Sequence, residues 1–304
     1  MPVLAPGLTW IDLKFRGRPD VIATAVASSS AGVVLIDPGP TSCLATLEAG
    51  LEAMGIRLVD VTHVLLTHVH LDHAGATGTI VRRNPRVRVL VHELGAPHLV
   101  DPTKLVRSAT RLYADQMNVL WGEIAAVPTG NVEVVDTRAA RLDVAGRSLE
   151  VAYTPGHAVH HVSYFDLSSG IAFVGDAAGV RIHGDYVRPP TPPPDIDIEQ
   201  WIATASRIER WAPAAMFLTH FGPSSTVVPH LRALVENLTS AGEWVRQSLA
   251  GTGSDEEKAR RYADYVEGEL QRHLTEDERR PHHVGAPFEV SWQGLARYWR
   301  KKGI

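Results

Sequence analysis

The chain has 304 residues, of which 44% are hydrophobic and 21% charged, enough to bury a sizeable core and unlike a disordered chain. Its single cysteine, Cys43, excludes an intramolecular disulfide and a thiolate-rich metal site. A net charge of −4, with Lys and Arg scattered along the chain, gives no electrostatic footprint for nucleic acid, so the expected partner is a small-molecule substrate.

In chain order, the opening MPVLAPGLTWIDLKF lacks a basic region followed by an apolar run. No signal peptide or membrane anchor is therefore expected, and the expected compartment is cytoplasmic; a homo-oligomer is left open. To about residue 225 short β-type runs alternate with helical patterns, as in a layered α/β domain. Strands are predicted at Val21–Ala27, Gly32–Asp37, Val61–Leu66, Val87–His92, Leu149–Tyr153, Ile171–Gly175 and Met216–Thr219. Helices are predicted at Thr41–Met54, His73–Asn84, Leu105–Ile124 and Ile198–Trp211. Within the third of these, the large apolar residues from Leu112 to Trp121 read as core packing rather than a substrate wall. The proline-rich run from Arg188 to Asp195 reads as a stiff surface or rim loop. After Gly222 the pattern turns helical, with a helix from about Pro229 to Leu249. Capping boxes open at Ser254 and Thr275, and a last helix covers Trp292–Lys302. The expected division is a domain over 1–228 and a helical C-terminal extension over 229–304.

Histidine is the compositional anomaly, at 15 residues. The β-type run from Val61 breaks into His68, His70, Asp72 and His73, a density of neutral imidazoles and carboxylates that suits zinc, iron or manganese. Three further apolar runs end in His157, Asp176 and His220. Ligands in open α/β sheets gather at the carboxyl ends of strands, so four runs ending in His or Asp point to one shared site. Seven ligands exceed one tetrahedral metal and suit two with a bridging carboxylate.

These residues resemble the metallo-β-lactamase superfamily, closest in style to its glyoxalase II-like hydrolases. Its signatures occur in order as Asp37 in LIDPG, then HVHLDH, TPGH, VGDA and LTHFGP, over about residues 10–225. The resemblance implies a four-layered αββα sandwich and two divalent metals, zinc first. It implies that His68, His70 and His157 hold one, that Asp72, His73 and His220 hold the other, and that Asp176 bridges them, with Asp37 bracing the metal loop. It implies metal-assisted hydrolysis, with Asp72 as the catalytic group that orients the attacking water or takes its proton. Departures narrow this. Asp176 stands where true β-lactamases carry Cys or Ser, which argues against β-lactams. The short span from Asp176 to His220 leaves no room for the inserted domain of the RNA-processing branch. His160 replaces the Gly of the TPGHxxGH pattern while His161 keeps its His, and no glutathione-binding signature is recognisable in the C-terminal extension. The expected substrate is a carboxylic thioester, ester or lactone. A phosphodiester or phosphotriester ranks second, and a mononuclear iron persulfide dioxygenase is a different class that shares much of the motif set. A non-enzymatic metal-binding protein is the remaining alternative.

The other histidines divide by position. His63 is expected to be structural, His92 and His98 to lie at the surface or behind the ligands, and His160 and His161 to pack beside a ligand or touch substrate. His230, His273, His282 and His283 are expected to be solvated. His183 and Tyr186 follow Asp176 closely and are expected to act as catalytic donors to an oxyanion or leaving group, on a loop forming part of the pocket wall.

Overall fold

The structure is a computed structural model in which residues 3–137, 141–284 and 287–304 are described. The first sheet runs, in spatial order, β1 (Val3–Ala5), β2 (Leu8–Asp12), β3 (Ala23–Ser29), β4 (Gly32–Ile36), β5 (Val61–Leu65), β6 (Arg88–Val91) and β7 (Val132–Val134). Its first four strands pair antiparallel, and β4 through β7 are parallel. The second sheet comprises β8 (Leu142–Val144), β9 (Arg147–Tyr153), β10 (Val162–Asp166), β11 (Ile171–Phe173), β12 (Ala215–Leu218) and β13 (Gly222–Ser224), in the order β13-β12-β11-β10-β9-β8. Only β11 and β12 pair parallel in it.

Alternation along each strand explains the layering. In β4, Val34 and Ile36 join Ala25 of β3, Leu65 of β5 and Phe173 and Phe217 of the second sheet in a core between the sheets. Val33 and Leu35 point the other way, onto a core shared with α1 (Leu44–Glu52) and α3 (Thr77–Arg83). The side-chain period of two sends successive residues to opposite faces, so a strand buried on both reads as continuously apolar. The outer face of the second sheet is covered by α7 (Ile198–Arg210) and the start of α8 (Val227–Ala250), through Ala205, Ile208 and Leu231. The result is the expected helix–sheet–sheet–helix sandwich. Beyond it α8, α9 (Asp255–His273) and α11 (Phe288–Lys301) pack around Leu238, Tyr262 and Trp292. The boundary expected at residue 228 falls in the first turn of α8, whose Val227 and Leu231 belong to the sandwich and whose Leu238 and Val245 belong to the helical layer.

All seven predicted strands form. Ile171–Gly175 is shorter than expected because Gly175, at φ +46°, turns the chain. The Leu105–Ile124 helix divides into α5 (Thr103–Tyr113) and α6 (Met117–Trp121), since Ala114 has φ +45°. His73–Asn84 begins two residues early, as α2 (Leu71–Ala74), and breaks before α3. The capping box at Ser254 is present, with its Oγ accepting from Glu257 N and Glu257 accepting from Ser254 N. The Thr275 box opens a helix of one turn, α10 (Glu276–Arg279). Among the described residues, β1, β2, β7, β8, β10, β13 and the short α4 (Ala96–Val100) were not predicted. Most are three to five residues long, too short for a period to show. No helix among the described residues is long and apolar enough to cross a membrane.

Candidate metal centre

All seven expected ligands meet where the strands end. His68 and His70 lie in the loop after β5, Asp72 and His73 in α2, His157 in the loop after β9, Asp176 in the turn after β11, and His220 after β12. Two triads, His68–His70–His157 and Asp72–His73–His220, each have their donor atoms within 4.8 Å of one another. His157 Nε2 is 3.0 Å from His70 Nδ1, and His220 Nε2 is 3.2 Å from an Asp72 oxygen. Two donors on one tetrahedral zinc stand about 3.3 Å apart, so these are separations that a shared cation sets. Asp176 lies between the triads. Its Oδ2 is 3.3 Å from His157 Nε2, and its Oδ1 is 3.3 Å from His73 Nε2 and 3.7 Å from His220 Nε2.

Hydrogen bonds behind the ligands decide which ring nitrogen faces inward. Asp37, at φ +51° just beyond β4, accepts through Oδ2 from His73 Nδ1 at 2.8 Å, Thr67 Oγ1 at 2.7 Å and Thr219 Oγ1 at 2.9 Å. Because the Thr67 proton goes to Asp37, the Thr67 oxygen can only accept from His68 Nδ1, 3.1 Å away. His157 Nδ1 donates to Pro190 O at 2.9 Å and His220 Nδ1 to Val21 O at 2.8 Å. Each Nε2 is thus the ring nitrogen directed into the site, placed to offer its lone pair to an ion. His68 Nε2, His73 Nε2 and Asp176 Oδ1 are buried and have no hydrogen-bond partner. Orphaned buried acceptors that converge are the mark of a cation site, and the donor set fits two divalent ions.

The charges agree. Burial, then the neighbouring His157, holds His70 down to about 3, and burial holds His68 well below the ordinary histidine value, which keeps both neutral and able to ligate. Burial opposes charge on Asp72, but His73 and His220 outweigh it and hold the carboxyl at about 2. Burial likewise opposes charge on Asp176, and His73, His157 and His220 hold it well below the carboxylate range.

Two glycines of the motifs are required by close approach. A Cβ on Gly156, at φ +129°, would stand 2.4 Å from the Trp201 backbone of α7. That contact brings the Trp201 ring edge-on to His157 at 5.4 Å, while its Nε1 donates to Ala177 O. A Cβ on Gly175 would meet Thr67 Oγ1 at 2.4 Å. His161 Nδ1 is 2.9 Å from Thr154 Oγ1, and its ring stacks on His68 at 4.9 Å, so it braces a ligand. His160 lines the pocket beside His70.

Above the ligands opens a cavity of about 470 Å³. Its lining includes Leu105, Leu112 and Tyr113 of α5, with Trp121 and Phe15, and the polar Lys104 and Ser108 of the same helix. Arg188, Pro190 and Pro192–Pro194 line it too, completed by His282, Val290 and Ser291 from the C-terminal helices. The core-packing reading of this run holds for Tyr113, Met117, Leu120 and Trp121, but Leu112, Tyr113 and Trp121 also line the cavity. His183 and Tyr186 need correcting. Val180 and Arg188 pair by two backbone hydrogen bonds of 2.8 Å, closing the intervening residues into a loop. The Tyr186 ring is buried against His273 among the C-terminal helices, and His183 sits 3.8 Å from Asp20; neither lines the cavity. The proline-rich part of the expected wall does line it. His230 and His282, expected in solvent, are buried and donate to Ala178 O and Ile182 O at 2.8 and 2.9 Å. His92 is buried and stacks on Tyr153. Arg188 lies in the loop expected to form the wall and Tyr113 in the run read as core packing, but neither was singled out, since helix-face and loop residues carry no spacing signal for a cavity formed by distant segments.

With fold and site in view, the class is defined: the profile of the metallo-beta-lactamase superfamily matches residues 18–220, and the chain belongs to that superfamily. Among its relatives, a metallo-beta-lactamase fold-containing protein of Sulfurisphaera tokodaii is 27% identical over 222 residues, 71% of this chain and 80% of the relative. A probable metallo-hydrolase of Bacillus subtilis, YqjP, is 28% identical over 177 residues, 52% of each chain. Among solved structures, a metallo-beta-lactamase family protein from Thermus thermophilus superposes with a TM-score of 0.73 at 21% identity, covering 99% of this chain and 95% of that one. An archaeal superfamily protein from Sulfolobus tokodaii gives 0.63 at 22%, covering 95% and 98%. These similarities carry the fold through the C-terminal helices.

Proposed function

We propose that the chain is a dinuclear metal-dependent hydrolase, glyoxalase II-like in its chemistry, acting on a small-molecule carboxylic thioester, ester or lactone. The observation that carries this reading is the Asp176 carboxylate, with one oxygen toward His157 and the other toward His73 and His220. A carboxylate split between two complete triads suits a pair of cations and supports the dinuclear reading over a mononuclear facial triad. Zinc suits the donors first, and iron and manganese also fit. Two such ions would supply the positive charge that acidifies a water and polarises the substrate's carbonyl oxygen.

The chain's own groups supply the rest. Asp72 keeps 26% of its side chain exposed at the cavity floor and is held ionised, which equips it to orient a water and take its proton. Tyr113 lines the cavity, and burial, then the Asp72 charge, push its phenol pKa up. It stays protonated and can donate to a leaving group. The apolar residues of α5 accept the body of the substrate and keep bulk water out.

The test is elemental analysis of the purified protein coupled to hydrolysis assays on thioesters, esters, lactones and phosphodiesters, with persulfide and oxygen as a control. The expected result is two metal ions per chain and turnover of a carboxylic thioester, ester or lactone. A stoichiometry fixed at one iron, with oxygen consumed on persulfide, would overturn the proposal.

A further inference from the structure

Charge on the cavity wall carries one more step. Among the described residues, the other arginines of intermediate exposure have acceptors: Arg147 pairs with Asp166, Arg279 with Glu267 at 2.7 Å, and Arg181 donates to Pro223 O at 2.8 Å. Arg188 has none. Its guanidinium lies over the Phe288 ring at 5.4 Å, and its Nε–H is buried with no acceptor among the described residues. Stacking satisfies the face of a guanidinium and leaves its edge, which carries the N–H groups, to find acceptors elsewhere. A guanidinium that is part-exposed at a cavity, with no carboxylate in contact, is open to an anionic partner that enters there.

The backbone fixes where that partner would sit. Val180 and Arg188 are locked together by their paired hydrogen bonds, four residues on from Asp176, so Arg188 is tied to the segment that carries the ligand between the triads. Leu105 and Leu112 present apolar surface to the same cavity, which Lys104 of α5 also lines, itself exposed at the surface. A ligand spanning the site would therefore put its scissile group at the ligand cluster, its hydrocarbon body against α5 and any anionic group at Arg188.

We propose that Arg188 is the recognition residue for an anionic group, a carboxylate or phosphate, on the substrate, so that the enzyme prefers anionic acyl substrates over their neutral counterparts. This rests on the hydrolase reading above but is tested apart from it. The binding arm uses the metal-loaded protein and analogues with a ketone in place of the scissile carbonyl: 5-oxohexanoate, 4-oxopentyl phosphate and neutral 2-hexanone, titrated calorimetrically. The wild-type protein should bind one anionic analogue roughly tenfold or more tighter than 2-hexanone, and Arg188→Met should remove that preference, as loss of a charge-assisted bidentate contact does. Whichever analogue is preferred distinguishes carboxylate from phosphate. In the kinetic arm the ratio of kcat/KM for the glutarate monothioester to that for the butyrate thioester should fall by a similar factor in Arg188→Met. Arg188→Lys, which keeps the charge and loses the fork, should fall between, and it decides the matter if the Met variant does not fold. Equal wild-type affinity for the anionic and neutral analogues, or a preference that survives both substitutions, overturns the proposal. Arg188-dependent binding without turnover of any substrate would instead overturn the hydrolase reading and leave the anion site standing.

Discussion

Asp176 and Asp37 do different work with the same side chain. Asp176 has a buried oxygen with no hydrogen-bond donor, whereas Asp37 accepts from His73, Thr67 and Thr219. Asp176→Ala should lower the metal stoichiometry from two toward one and abolish most turnover. Near-normal activity with two ions bound would show that the carboxylate does not bridge. Asp37→Ala frees the His73 tautomer, and metal affinity should fall by about 10- to 100-fold, read by competition with a chelator. Asp72→Ala should reduce kcat far more than KM, since the carboxylate acts on water rather than on the substrate body. An effect confined to KM would refute that role. His70 was legible as a candidate ligand from the HVHLDH run, but that its Nδ1 is the atom standing 3.0 Å from His157 Nε2 was not, because ring orientation is set by neighbours far along the chain.

At the scale of elements, the proline-rich wall is held in place by α11. A Cβ on Gly294 would stand 2.0 Å from Thr191 O, so that helix rests directly on the segment whose prolines line the cavity. Gly294→Ala should destabilise the protein by about 1–3 kcal/mol through overpacking and should raise KM while leaving metal content at two, measured by denaturant titration and steady-state kinetics. Strands that carry ligands were legible because β5 and β12 are apolar runs that end in His, and β11 is one that ends near Asp. The loop from Val180 to Arg188 was not. Only Val187 separates Tyr186 from Arg188, yet Tyr186 is buried in the helical layer away from the cavity, while Arg188, packed over Phe288, also lines it.

Over the whole molecule, buried neutral histidines make stability depend on pH. Burial holds His230 at about 4 and His282 at about 3, below the roughly 6.5 expected in an unfolded chain. The unfolded state therefore binds more protons between these values. The stabilisation is fully present above the unfolded value and is lost as pH falls through that window. The melting temperature should drop between about pH 7 and pH 5, and drop less in His282→Gln, where the amide can still donate to Ile182 O without gaining a proton. An equal drop in both would show that His282 titrates alike in the two states. The sequence by itself determined the layered α/β class and the seven clustered ligands, because apolar periodicity and liganding residues at strand ends are local patterns. Only the tertiary structure decided that Tyr186 packs among helices, that His230 and His282 are buried and that Arg188 and α11 close the pocket. Those outcomes depend on which distant segments a residue meets, and nothing in the spacing along the chain records that.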